Sequence, residues 1–364
     1  AAGLVEQMRT DWSIQTDAAA DHLRVIRFAG EHARGIVSRA LARMSDGALE
    51  WERTCASEPA RVLDESELPE GFRDAVTGDV FRVRTDSDGR WAVHGGDGPN
   101  TYDTSRVSFV YDTGGNDRYS AGDADAGRTG SPWVDSAIVD LAGDDVYETD
   151  RALAGPASAV FGFALLDDRA GNDRYESSAA STIGAGVFGV GVVLDRAGND
   201  TYVNRGDRAG FSLGSGFYGS GLIIDLAGDD AYLGEKLCQG VGGAGGFGAI
   251  IDLRGRDLYR ANGPAFASAY GTPGVYLGMS QGFGYGIRGY ASGGVGALYD
   301  LAGDDRYEAG EFSQGGGYYF GLGVLHDRGG RDVYFGNRYG QAFAAHQGLG
   351  SWSIARGTTR TGRR

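Results

Sequence analysis

Residues 190–202 read Val190-Gly-Val-Val-Leu-Asp195-Arg-Ala-Gly-Asn-Asp200-Thr-Tyr202, an alternating apolar run followed by Asp, a glycine turn, a second Asp and a Tyr. The frame apolar-apolar-Asp-x-x-Gly-x-Asp-x-Tyr recurs from Asp112 to Tyr119, Asp140 to Tyr147, Asp168 to Tyr175 and Asp195 to Tyr202. It continues from Asp225 to Tyr232, Asp252 to Tyr259, Asp300 to Tyr307 and Asp327 to Tyr334. The leading aspartates are 28, 28, 27, 30, 27, 48 and 27 residues apart, so a unit of about 27 residues repeats with one insertion. Between copies the chain is rich in glycine with alternating apolar positions, which reads as strand because each glycine penalises helix. A unit too small to bury its own core must stack on its neighbours. The pattern therefore predicts a mainly β chain: a parallel β-solenoid of eight to nine coils over residues 95–350, a rod on the order of 40 Å long.

Composition agrees. The 364 residues include 65 Gly but only 7 Pro, which excludes collagen, and 19 Tyr, 16 Phe and 5 Trp exclude a disordered glycine tract. The formal charge of −15 disfavours nucleic acid as a partner. Cys55 and Cys238 fit neither a zinc spacing nor a disulfide framework, and no apolar stretch is long enough for a transmembrane helix.

Stacking in register sets like above like. Tyr119, Tyr147, Tyr175, Tyr202, Tyr232, Tyr259, Tyr307 and Tyr334 are expected to form one packed ladder, against the alternative of a sugar-binding strip. Gln239, Gln281, Gln314 and Gln341 suggest a second, hydrogen-bonded column. Two aspartates per coil give two columns of carboxylates that repel by roughly 1 kcal/mol per neighbour in water and several times more at a protein surface. Three devices could offset this: cations between turns, arginines, or Asx bonds to backbone N–H groups.

The segment Gly-x-Asp-x-Tyr, as in Gly198-Asn-Asp-Thr-Tyr202 and Gly228-Asp-Asp-Ala-Tyr232, resembles the second half of the nonapeptide of the RTX family of secreted calcium-binding β-roll proteins. A ninth copy at Gly95-Gly-Asp-Gly-Pro-Asn-Thr-Tyr-Asp103 keeps every glycine of that nonapeptide, with Asn100 in place of its Asp. The resemblance covers short turns, not the whole chain. It implies an extracellular, periplasmic or cell-surface location and Ca²⁺ at the turns, held by Asp112, Asp117, Asp140, Asp145, Asp168, Asp173, Asp195, Asp200, Asp225, Asp230, Asp300 and Asp305. Arg256 and Arg331 precede the motif aspartates Asp257 and Asp332, so the copies beginning at Asp252 and Asp327 are expected to be metal-free.

Outside the repeats, residues 1–54 carry an amphipathic stripe of Leu23, Ile26, Ala29, Ala33, Val37, Leu41 and Met44, a helix expected to cap the open end of the rod or to dock on a partner. Residues 55–94 read as a linker and a hairpin, an insertion falls at about 262–290, and 351–364 read as a frayed tail. Tyr285, Arg288 and His326 are weak catalytic candidates around the insertion. The leading functional expectation is a noncatalytic structural, adhesion or assembly module with a protein partner. One alternative is a lyase or hydrolase acting on acidic polysaccharide; another is an outer-membrane β-barrel in which each repeat is a hairpin.

Overall fold

The computed structural model describes residues 49–57, 60–86, 89–121, 135–354 and 360–362. It is a β-solenoid of about nine turns. Each full coil contributes one strand to each of three sheets. In the coil quoted above, Gly186–Val187 lies in sheet C, Val190–Asp195 in sheet B and Thr201–Asn204 in sheet A. Sheets A and B have eleven strands each and sheet C has seven. Ten steps at about 4.8 Å make the rod about 48 Å long.

Pairing is parallel and in register, with Tyr175 beside Tyr202 and Asp195 beside Asp225. The exceptions lie at the N-terminal end, where Val80–Thr85 pairs antiparallel with Trp91–Gly95 and Val76–Thr77 antiparallel with Thr101–Asp103. A barrel of hairpins would require antiparallel neighbours throughout, so the barrel expectation is set aside.

Strand alternation builds the interior. Val190–Asp195 alternates half-buried and buried residues, so Gly191, Val193 and Asp195 point inward. Stacking then makes an aliphatic column of Val110, Ile138, Leu166, Val193, Ile223, Ile250, Leu298 and Leu325 beside the tyrosines of sheet A. Glycine fills the other inward position where sheets B and C converge: a Cβ on Gly191 would sit 2.2 Å from the Ala157 carbonyl oxygen.

The ends differ from expectation. The predicted helical stripe from Leu23 to Met44 lies outside the described residues, but residues 49–57 are helical. This helix does not cover the open end. Trp51 and Cys55 pack on the outer face of sheet B against Ala92, Tyr111, Phe109, Val139 and Leu141, and Trp51 Nε1 donates to the Val93 carbonyl. The end is closed instead by residues 63–80, with Phe72 buried in the main core and stacked edge-on against Trp91. At the other terminus the coil pattern runs past 350: Leu349–Ile354 is the last strand of sheet B and Arg360–Gly362 the last of sheet A.

The insertion is also narrower than 262–290. Phe283–Tyr285 keeps its place in sheet C, so the extra residues divide into a long loop before Gln281 and a small turn closed by the Ile287–Ala291 bridge.

Candidate functional site: the aspartate columns

Parity decides where the acids go. Asp195 shares the parity of Val193, and Asp200 that of Tyr202, so both carboxylates enter the rod rather than its solvent edge. All sixteen motif aspartates are at most 2% exposed.

The first aspartate uses both oxygens in six of the eight copies, while Asp195 Oδ1 and Asp300 Oδ1 meet no donor. One accepts an Asx bond from the backbone N–H two residues on, as Asp168 does from Ala170 at 3.2 Å and Asp225 from Ala227 at 3.2 Å. In seven copies the other accepts the tyrosine O–H of the preceding coil, as Tyr147 to Asp168 at 2.7 Å, Tyr175 to Asp195 at 2.7 Å, Tyr202 to Asp225 at 3.0 Å and Tyr232 to Asp252 at 3.0 Å, whereas Asp327 accepts Tyr334 of its own coil. Tyr102 donates to Asp112 in the same way. The column thus has nine rings, Tyr102 included, with centroids 4.5–4.9 Å apart and every ring at most 2% exposed. The rings are core, and the sugar-strip alternative is excluded by their burial.

The second aspartate links coils. Its Oδ1 accepts the backbone N–H of the corresponding residue one coil earlier: Asp145 N–H to Asp173 at 2.6 Å, Asp173 to Asp200 at 2.7 Å and Asp200 to Asp230 at 2.6 Å. Its Oδ2 is buried and meets no donor in all eight copies. What it faces is the first aspartate: the carboxyls of Asp140 and Asp145, Asp168 and Asp173, and Asp195 and Asp200 lie within hydrogen-bonding reach. Burial, then repulsion from Asp168, pushes Asp173 up to about 10; burial and Asp195 push Asp200 up to about 9. In the six copies from Asp145 to Asp305 this favours the protonated acid at neutral pH, whose O–H gives the orphan oxygen an acceptor in the neighbouring carboxyl. Asn100, standing in the second column at the N-terminal end, performs the same act with a carboxamide: its Nδ2 donates to Tyr102 Oη at 2.7 Å and Asp112 Oδ2 at 3.4 Å.

Calcium fits this arrangement poorly. Triads such as Asp173, Asp195 and Asp200 bring one oxygen each within 4.8 Å of one another. Calcium takes 6–8 oxygens. Here Asp173 and Asp200 each spend Oδ1 on a backbone N–H and Asp195 spends Oδ2 on Tyr175, so the triad offers three donor-free oxygens, Asp173 Oδ2, Asp195 Oδ1 and Asp200 Oδ2, at most half of such a shell. The arginines do not distinguish copies either. Arg331 lies on an exposed outer column, where it pairs with Asp304 at 2.6 Å, and Asp252 and Asp257 join Asp230 in a triad like the others. That outer column is a third ladder: Asp144 Oδ1 accepts the backbone N–H of Asn172 at 2.9 Å, Asn199 Oδ1 that of Asp229 at 2.8 Å, and Asp229 Oδ1 that of Arg256 at 3.0 Å.

The turn glycines are fixed by the same stacking. A Cβ on Gly198 would lie 1.8 Å from the Gly171 carbonyl oxygen and 2.6 Å from its own coil's Asp200 Oδ1. Gly198→Ala is expected to destabilise the rod by roughly 2–3 kcal/mol, read as a lower denaturant midpoint. A midpoint unchanged within error would mean the coils are spaced more loosely than drawn.

The catalytic candidates are not brought together. Tyr285 lies on sheet C beside Tyr318, Arg288 on the small turn after it, and His326 on the outer face of sheet B, bonded to Ser353 Oγ at 2.6 Å and edge-on to Tyr299. His326 holds the position that Ile224, Ile251 and Tyr299 hold in neighbouring coils. The glutamines bond to sheet A rather than to each other: Gln239 Nε2 donates to the Tyr232 and Arg260 carbonyls at 2.7 and 3.0 Å, and Gln281 to those of Tyr259 and Glu308.

Two residues not singled out from the sequence hold the insertion down. Buried Glu311 accepts Ser268 Oγ and the Ala269 N–H, both at 2.8 Å, and Glu235 accepts the Ala265 N–H at 3.4 Å. The one signal for Glu311 was a lone acid in the otherwise uncharged run Ala309–Gly321. Searches of family models, curated proteins and solved structures return no match to this chain.

Proposed function

We propose that this chain is a noncatalytic scaffold, a stiff rod that presents its flanks to a protein partner in a larger assembly. One observation carries the reading: the polar groups that the repeat defines are consumed inside the rod. Sixteen aspartates and nine tyrosines face one another and the backbone at 0–2% exposure, leaving none of them open to a substrate in solution. The insertion, where the enzyme alternative places an active-site lip, is held by Glu235 and Glu311 and by Tyr270 lying against the stacked rings of Phe312 and Tyr339. Columns of this kind serve stiffness and repetition.

The test is a panel of uronic-acid-rich and neutral polysaccharides, followed for new reducing or unsaturated ends. No turnover is expected. Turnover that falls on changing Tyr285→Phe or Arg288→Ala would overturn the scaffold reading in favour of a carbohydrate-active enzyme.

A further inference from the structure

A solenoid sheet with one solvated face should read apolar inward and polar outward. Sheet A is mixed, with Arg174, Glu176, Arg260 and Arg306 outward beside Val203, Leu233 and Leu258. Sheet B is apolar over most of its outward positions. Its outward residues include Val192, Leu194, Leu222, Ile224, Phe247 and Tyr299, stacked in register over neighbouring coils. Phe247 is 39% and Tyr299 36% exposed. Strands apolar on both faces are those of sheets covered on both faces.

We propose that the N-terminal segment, residues 1–48, covers this face in the same chain through the apolar stripe from Leu23 to Met44. Three observations point to that occupant. First, the interface is already begun: residues 49–57, directly following the segment, lie on the outer face of sheet B, with Trp51 and Cys55 against Phe109, Tyr111 and Val139. Second, charge continues the contact, because Glu52 of that helix pairs with Arg169, at the border of the next coil. Third, the segment is long enough to span the face. A helix over residues 23–44 would run about 33 Å. Six neighbouring strands, from Phe163–Asp168 to Leu322–Asp327, span about 24 Å. The seven apolar residues of the stripe recur at intervals of three or four, the spacing of one helix face. This inference goes beyond the scaffold reading and holds whether or not the rod has activity, since it concerns which flank is left for partners.

The experiment uses the full chain as a monomer, verified by light scattering. Hydrogen exchange is expected to show protected amides over residues 23–44, and trypsin to cut after Arg24, Arg27 and Arg34 roughly ten-fold more slowly than in Leu222→Arg or Ile224→Asp. These substitutions point outward, so circular dichroism of the rod should be unchanged. Should either disturb folding, Ile26→Asp and Leu41→Asp release the segment while leaving every solenoid residue intact, and the same loss of protection is expected. Equal and rapid cleavage of the wild-type monomer and the variants overturns the proposal. So does protection that appears only in a dimer or only on adding anionic lipid vesicles, which would assign the face to a second copy or to a membrane.

Discussion

Tyr202→Ala is expected to cost roughly 4–5 kcal/mol, the largest effect of any single truncation in the rod's middle. The ring is fully buried, stacks on Tyr175 at 4.5 Å and Tyr232 at 4.7 Å, and donates to Asp225 at 3.0 Å. Removing it opens a cavity, breaks two ring contacts and takes a donor from a buried carboxylate. Tyr202→Phe separates these terms. It keeps the stack and loses only the O–H, so about 1–3 kcal/mol is expected from the acceptor left short. Because each coil touches only its neighbours, the Ala variant should also split the unfolding transition, with the halves before and after coil 202 melting separately. Denaturant titration of both variants measures this. Loss of less than 1 kcal/mol in Tyr202→Ala would show that the column is not what joins the coils.

The architecture was legible because repetition and alternation are sequence properties. Spacing of Asp168, Asp195 and Asp225 gave the coil length, and register followed without further information. What escaped was the side of the strand. Read two at a time from Val193, Asp195 falls on the core face, and Asp200 does so counted back from Tyr202. The resemblance to a calcium-binding turn covers the turn alone and says nothing of that parity. The insertion's anchors escaped for a different reason: Glu311 meets Ser268 and Ala269 across 43 and 42 residues, a contact no local pattern encodes. Likewise the place of Arg331 beside Asp332 in sequence suggests that the two side chains meet, whereas neighbouring residues point to opposite sides and Arg331 finds Asp304 instead.

The rod is expected to lose stability as pH rises from about 5 to 10, opposite to the acid lability of proteins held by ionised carboxylates. The unfolded aspartate value is about 3.9. Burial, with repulsion from the neighbouring carboxylate, raises Asp145, Asp200, Asp230 and Asp305 to about 9 and Asp173 and Asp257 to about 10. Above pH 4 the folded rod therefore holds protons that the unfolded chain has released, and each contributes a slope of about −1.4 kcal/mol per pH unit until its folded value is passed. The terminal copies should lose least, because Asp117 is raised only to about 7 and Asp332 to about 6, so their slope ends there while the central coils go on losing stability. On the acid side the exposed pairs act the other way: Arg61 holds Glu67 down to about 2 and Arg331 lowers Asp304, contributions that fade as those groups protonate. The optimum thus falls near pH 4, where the raised aspartates are still protonated in both states. Melting temperature against pH, with hydrogen exchange resolving the terminal coils from the central ones, reads both effects. Asp200→Asn, which keeps an N–H where the carboxylic acid had its O–H, should flatten the alkaline slope by one proton, as Asn100 already does at the N-terminal end. Stability that climbs between pH 6 and 9, or a rod that gains it only on adding calcium, would show that the columns are ionised and held by metal.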